Sequence, residues 1–101
     1  MPKKNQNPMI IHPGEILRAE FMEPLGISSY KLARALHVSV PRINDIVLER
    51  RAVTADTALR LSQYFGTTAE FWMNLQAGYE LRLAQQKRGP ASIAPHNKKT
   101  A

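Results

Sequence analysis

The chain has no cysteine among its 101 residues. That excludes disulfides, thiolate nucleophiles, iron–sulfur clusters and cysteine-ligated zinc. No run of about 18 apolar residues occurs, so no segment reads as a membrane-spanning helix. Aromatic residues are sparse, at 7%. Of the three histidines, His12 falls at a helix start, His37 in a turn and His96 near the C-terminus. No two of them share the close helical spacing of paired metal ligands. A phosphate-cradling glycine loop and a Ser/His/Asp arrangement are both missing. Asp45 and Glu49 share a helix face but lie within a basic segment, not as an isolated carboxylate pair. The expectation is a protein that is not an enzyme, with no catalytic residue, cofactor or metal. Met1-Pro2-Lys3-Lys4 leads into a polar stretch without the apolar core of a secretory signal, which predicts a cytoplasmic protein.

What the chain does have is positive charge, with a formal net of +6. It sits unevenly. Residues 1–12 carry Lys3 and Lys4 and no acid, and residues 87–101 carry Lys87, Arg88, Lys98 and Lys99 and no acid. The stretch between is neutral overall, yet its residues 28–54 set Lys31, Arg34, Arg42, Arg50 and Arg51 against only Asp45 and Glu49. A neutral domain with one basic face points to a polyanion partner better than a uniformly basic chain does.

Apolar spacing predicts five helices and no strand. The first starts at His12-Pro13-Gly14-Glu15, where proline's missing N–H is no loss, and ends at Gly26. Ile16, Leu17, Phe21 and Leu25 are its expected buried side. The second follows Ser28 and buries Leu32, Ala33 and Leu36; the third follows Ser39. The fourth runs from Thr54 to Gly66 with Ala58, Leu61 and Phe65 inward. The fifth follows Thr67 or Thr68 and extends to Arg88. This divides the chain into a flexible arm (1–11), a helical domain (12–88) and a disordered basic tail (89–101).

Only about three residues, His37 to Ser39, separate the second and third helices. Ala33 permits a close crossing, and Leu32, Leu36, Val38, Ile43 and Ile46 supply one apolar cluster. That is the pattern of a helix-turn-helix, whose second helix docks in the DNA major groove. On a helical wheel Ile43, Ile46 and Val47 face inward. Val40, Pro41, Asn44, Asp45 and Leu48 face outward, with Arg42 at the border. Asn44 suits an adenine edge, Asp45 a cytosine amino group, and Val40 or Pro41 a thymine methyl. The N-termini at Ser28–Ser29 and Ser39 offer N–H groups to phosphates, and Arg50 and Arg51 follow as phosphate grips.

The fifth helix carries two apolar stripes. Phe71, Trp72, Leu75, Tyr79 and Leu83 are expected to cap the core. Met73, Ala77, Leu81 and Ala84 lie on the other side and are expected to meet a second copy in a two-fold dimer.

Several stretches together resemble the HigA-type antitoxins of the XRE group. They are His12-Pro13-Gly14-Glu15-Ile16-Leu17, Pro24-Leu25-Gly26-Ile27-Ser28, Pro41-Arg42-Ile43-Asn44-Asp45-Ile46-Val47, Thr54 to Leu61, Tyr64 to Thr68, Glu70-Phe71-Trp72 and Asn74-Leu75-Gln76. The likeness covers roughly residues 12–83. It implies a five-helix, phage-repressor-like (lambda-repressor-like) domain and the antidote half of a type II toxin–antitoxin pair. The partners it implies are double-stranded operator DNA and a HigB/RelE-like mRNA-cleaving toxin. Ser39, Val40, Pro41, Arg42, Asn44 and Asp45 map to its base-contacting positions, and Ser28 and Ser29 to its phosphate contacts. A phage-type repressor without a toxin and a protein inhibitor without DNA affinity are the alternative readings. Three positions depart from the family pattern. Ser29 stands where glutamine is frequent, His37 where glycine is usual, and Leu48-Glu49 where Asn-Gly often ends the recognition helix.

Overall fold

The structure, a computed structural model, describes residues 10–88 and 92–96. Five helices follow in order, with no strand among the described residues: α1 (residues 13–25), α2 (Ser29–Leu36), α3 (Val40–Val47), α4 (Ala55–Phe65) and α5 (Ala69–Arg88). This is the expected all-α, helix-turn-helix architecture. The expectations for the arm 1–11 and the tail 89–101 fall mostly outside the described residues.

Side chains of the expected type close the helix starts. Ser28 Oγ accepts from Lys31 N at 3.0 Å, Ser39 Oγ from Arg42 N at 3.3 Å, Thr54 Oγ1 from Thr57 N at 3.4 Å and Thr68 Oγ1 from Phe71 N at 3.0 Å. Each such cap stabilises its helix by about 1 kcal/mol. At the start of α1 the His12 ring does the same work, its Nδ1 accepting from Gly14 N at 2.8 Å. Gly26 (φ 65°) and Gly66 (φ 79°) end α1 and α4 in left-handed conformation.

α1 is not a uniform α-helix. Between Pro13–Ile16 and Glu23–Leu25 lies a π-helical stretch, Leu17–Met22, in which the Glu23 N–H reaches back five residues to the Arg18 carbonyl. The wide turn sits just before Pro24, which has no N–H to give and crowds the preceding turn. It also shifts the helix phase by one residue. Leu17 and Met22, five apart, are therefore both buried, and Leu25, expected inside, is 62% exposed. The expectation for Leu25 is corrected on that ground.

The core is built of Leu17, Leu32, Ala33, Ile43, Ile46, Ala58, Leu61 and Trp72, each with no exposed surface. Trp72 is its largest member, and its indole N–H donates to Thr67 Oγ1 at 2.7 Å. Phe21 bridges α1 to α4 and α5 through ring contacts with Phe65, Phe71 and Trp72 at 5.0–6.1 Å. Phe71 keeps its outer edge in solvent, 37% exposed.

The site depends on one close crossing. The backbone of Gly14 in α1 lies so near the carbonyl of Ile46 in α3 that a Cβ at position 14 would collide with it. Only glycine lets the two helices meet there. His12, two residues earlier, packs edge-on against Tyr79 of α5, with ring centroids 4.8 Å apart. α3 is thereby held from behind.

Candidate nucleic-acid interface

The inner flank of α3, formed by Ile43, Ile46 and Val47, is buried, while Val40, Pro41, Asn44 and Leu48 are exposed and Asp45 is half-buried. The wheel reading of this helix therefore holds, with Asp45 at the margin. α2 and α3 are joined through His37, whose φ of 61° supplies the left-handed turn that the family pattern usually gives to glycine. Histidine adopts this conformation at some cost. The turn is tied down from α4. Arg60 Nη1 donates to the Leu36 carbonyl at 2.8 Å, satisfying the open C-terminal end of α2.

Helix ends offer N–H groups unequally. At α2 the Ser28 cap takes the Lys31 N–H, and the first-turn N–H groups of Ser29 and Tyr30 have no intrahelical acceptor. At α3, Pro41 has no N–H and the Ser39 hydroxyl takes that of Arg42. The start of α2 is consequently the better phosphate cradle of the two. A contact at Ser29 would need no long side chain there, because its backbone N–H points out of the helix start.

Charged side chains surround the outer flank in pairs. Arg42 reaches back to α4, donating to Asp56 Oδ2 at 2.8 Å. Arg60 donates to the same oxygen from its Nε at 2.9 Å. The Arg42 hydrogen bond, then that from Arg60, holds the Asp56 carboxyl below the usual carboxylate range. Arg42, expected at a base edge, thus braces α3 against α4 while its side chain stays about one-third exposed, at 32%.

Beyond α3 the chain reverses. Leu48 caps the helix and Glu49 takes φ 65°, the left-handed residue expected of an Asn-Gly ending. Glu49 turns its carboxylate away from the outer flank, to 4.0 Å from Arg18 Nη1. Arg18 also donates to the Val47 carbonyl at 3.1 Å, closing the C-terminal end of α3. The reversal brings Arg50 and Arg51 beside Asp45, at 3.0 and 3.7 Å. A second tie follows. Gln76, buried in α5, accepts from Val53 N at 2.8 Å and donates to Glu80 at 2.7 Å, pinning the loop between α3 and α4. Sequence reasoning missed Arg18, Arg60 and Gln76. Their partners are backbone groups 23 to 29 residues away, which leave no periodic trace.

Among the described residues no group of three histidine or acidic side chains is placed to hold a metal ion. No helix of these residues is long and apolar enough to cross a membrane.

A helix-turn-helix family model matches residues 19–72, a span that contains α2, the turn, α3 and α4. The chain is 36% identical over 81 residues to antitoxin HigA-1 of Vibrio cholerae, covering 80% of this chain and 74% of that one. It is 54% identical over 90 residues to virulence-associated protein I of Dichelobacter nodosus, covering 89% and 82%. Among solved structures, antitoxin HigA of Pseudomonas aeruginosa with the higBA promoter superposes with a TM-score of 0.78 at 56% identity, over 79% of this chain and 87% of that one. The chain belongs to the HigA-type helix-turn-helix family. Membership sets it among DNA-binding regulators and not among enzymes, in line with the sequence expectation.

In the HigA-type domain, α5 exposes Ala77, Leu81 and Ala84, with Leu81 at 60%. Met73, expected with them, is only half-exposed and packs partly against the core. The fully exposed part of the stripe therefore begins at Ala77.

Proposed function

We propose that this chain is the antitoxin of a type II toxin–antitoxin pair. In this reading it acts in the cytoplasm, dimerises, binds operator DNA, represses its own operon and neutralises a HigB/RelE-like mRNA-cleaving toxin. The observation that carries the DNA half is the outer flank of α3. It is a short helix braced from behind by Gly14, Arg18 and Arg42, with hydrogen-bonding and compact apolar side chains left open to a groove. Asn44, Val40 and Pro41 read base edges; Asp45 and Ser39 sit beside them. The N-terminus of α2 at Ser28 and Ser29, with Arg50 and Arg51, holds phosphates. Ala77, Leu81 and Ala84, with the exposed part of Met73, form the dimer contact. That contact sets two copies of α3 about 34 Å apart, one turn of duplex.

The toxin half is supported by kinship with HigA antitoxins. The test is a titration of the chain with the DNA upstream of its own gene, with and without the product of the neighbouring gene. Specific retardation is expected, with affinity falling about 10³–10⁵-fold between roughly 50 and 200 mM salt for a dimer making about 6–10 phosphate contacts. The neighbouring product, if it is a small ribonuclease, is expected to lose mRNA cleavage on mixing. A sequence-specific shift with no such partner favours the toxin-free repressor. Failure to prefer its own upstream DNA over random duplex removes the repressor reading.

A further inference from the structure

The acid on the reading face stands where a polyanion binder should least tolerate it. Asp45 Oδ1 accepts from Arg50 Nη2 at 3.0 Å, and its Oδ2 lies 3.7 Å from Arg51 Nη2. The backbone builds this contact. Glu49 at positive φ folds the chain back, and the Arg50 N–H donates to the Asp45 carbonyl at 2.8 Å. The two arginine side chains remain about half-exposed, at 58% and 48%, while sharing one carboxylate. Glu49 does not join the cluster, since it faces Arg18 on the other side.

We infer that Asp45 is an internal counter-charge which restrains Arg50 and Arg51 from gripping duplexes in general and couples their release to base recognition. The inference rests on the DNA-binding reading and adds to it a specificity device. With Asp45 in place the three groups present a net charge of one, not two. A random duplex can recruit the arginines only by breaking their bonds to the carboxylate or by drawing that carboxylate toward its phosphates. Either route weakens the sequence-independent part of binding. A duplex that offers Asp45 a donor in the major groove, such as a cytosine amino group, gives the carboxylate another partner. The arginines are then free for the flanking phosphates. One correct base contact thus brings two phosphate contacts with it, and the gap between correct and incorrect DNA exceeds the worth of the base contact alone.

The experiment uses the full chain and its Asp45→Asn variant, which keeps the shape and removes the charge. Binding is followed by fluorescence anisotropy over a salt series. The two probes are a duplex spanning the DNA upstream of its own gene and the same duplex with its sequence shuffled. Asp45→Asn is expected to bind the shuffled duplex more tightly at low salt, with the slope of log K against log salt steeper by about one to two. The upstream-to-shuffled affinity ratio is expected to fall by about tenfold. In an Arg50→Gln/Arg51→Gln background the same substitution should tighten shuffled-duplex binding much less than it does in the wild type, and an equal gain in both backgrounds would mean direct repulsion of phosphate and overturn the inference. Thermal melting of each variant checks that the fold is intact. If Asp45→Asn binds the shuffled duplex no more tightly and with the wild-type salt slope, the inference is overturned while the DNA-binding reading survives. If the wild-type chain binds neither duplex, that reading falls, and the inference with it.

Discussion

On the inner flank of α3, Ile43, Ile46 and Val47 are sealed in hydrocarbon, whereas on its outer flank, one residue away in each case, Asn44, Asp45 and Leu48 meet solvent or charge. The inner flank is contacted from three directions: by the Gly14 backbone, by Arg18 on the Val47 carbonyl, and by core residues of α2 and α4. Nothing among the described residues packs over the exposed side chains of the outer flank to the same degree. In the proposed reading, the residues that fold α3 and those that read DNA lie on opposite flanks of one short helix. Stability and binding should therefore be separable by mutation.

The largest expected effect tests the sealed side. Trp72→Ala removes the largest fully buried side chain and strands the Thr67 hydroxyl, and it should cost about 3–5 kcal/mol, measured by urea unfolding. Binding should be lost only in proportion to the unfolded fraction. Next comes the open side. Asn44→Ala should leave the unfolding midpoint within error of wild type, yet lose about 1–3 kcal/mol of discrimination between upstream and shuffled DNA. A similar loss on both duplexes would show that Asn44 reads no base. The smallest effect lies at the border, where Arg42 joins the two regimes through Asp56. The carboxyl of Asp56 is held below its ordinary range by Arg42 first and Arg60 second. Its stabilising contribution is thus complete above the unfolded carboxylate value of about 4 and is lost as pH falls through the lower, folded one. Wild type should be slightly more stable than Asp56→Asn at neutral pH, and the gap should close in acid. Unfolding midpoints at several pH values would reveal a gap that instead widens.

Much of this was legible from the chain alone, because the signals are local. Serine and threonine caps, glycine stops and the three-residue link between α2 and α3 act over a few residues, and the wheel of α3 needs only its own eight. Leu25 was misplaced because the π-helical stretch ahead of Pro24 adds a residue to the turn and rotates everything after it. Met73 is shared between the stripe and the core because a wheel shows where a side chain points but not what packs beside it. The ion pairs of Arg42 with Asp56 and of Asp45 with Arg50 and Arg51 were invisible for another reason. Residue type announces that a charge exists, whereas its partner is chosen by the turn geometry at Glu49 and by the placement of α4. The exposed positions of α3 were accordingly legible in the sequence, whereas the ion pairs around them were not.

The contact of Gly14 with the Ile46 carbonyl has a mechanical consequence. With no side chain as a cushion between them, the backbones of α1 and α3 bear directly on one another. Any rotation of α3 must carry α1 along, and through His12 it must also drag Tyr79 of α5. In the DNA-binding reading, these contacts would present α3 to a double helix as a stiff die. Whatever accommodation the encounter demands must come from the tips of its side chains and from bending of the nucleic acid.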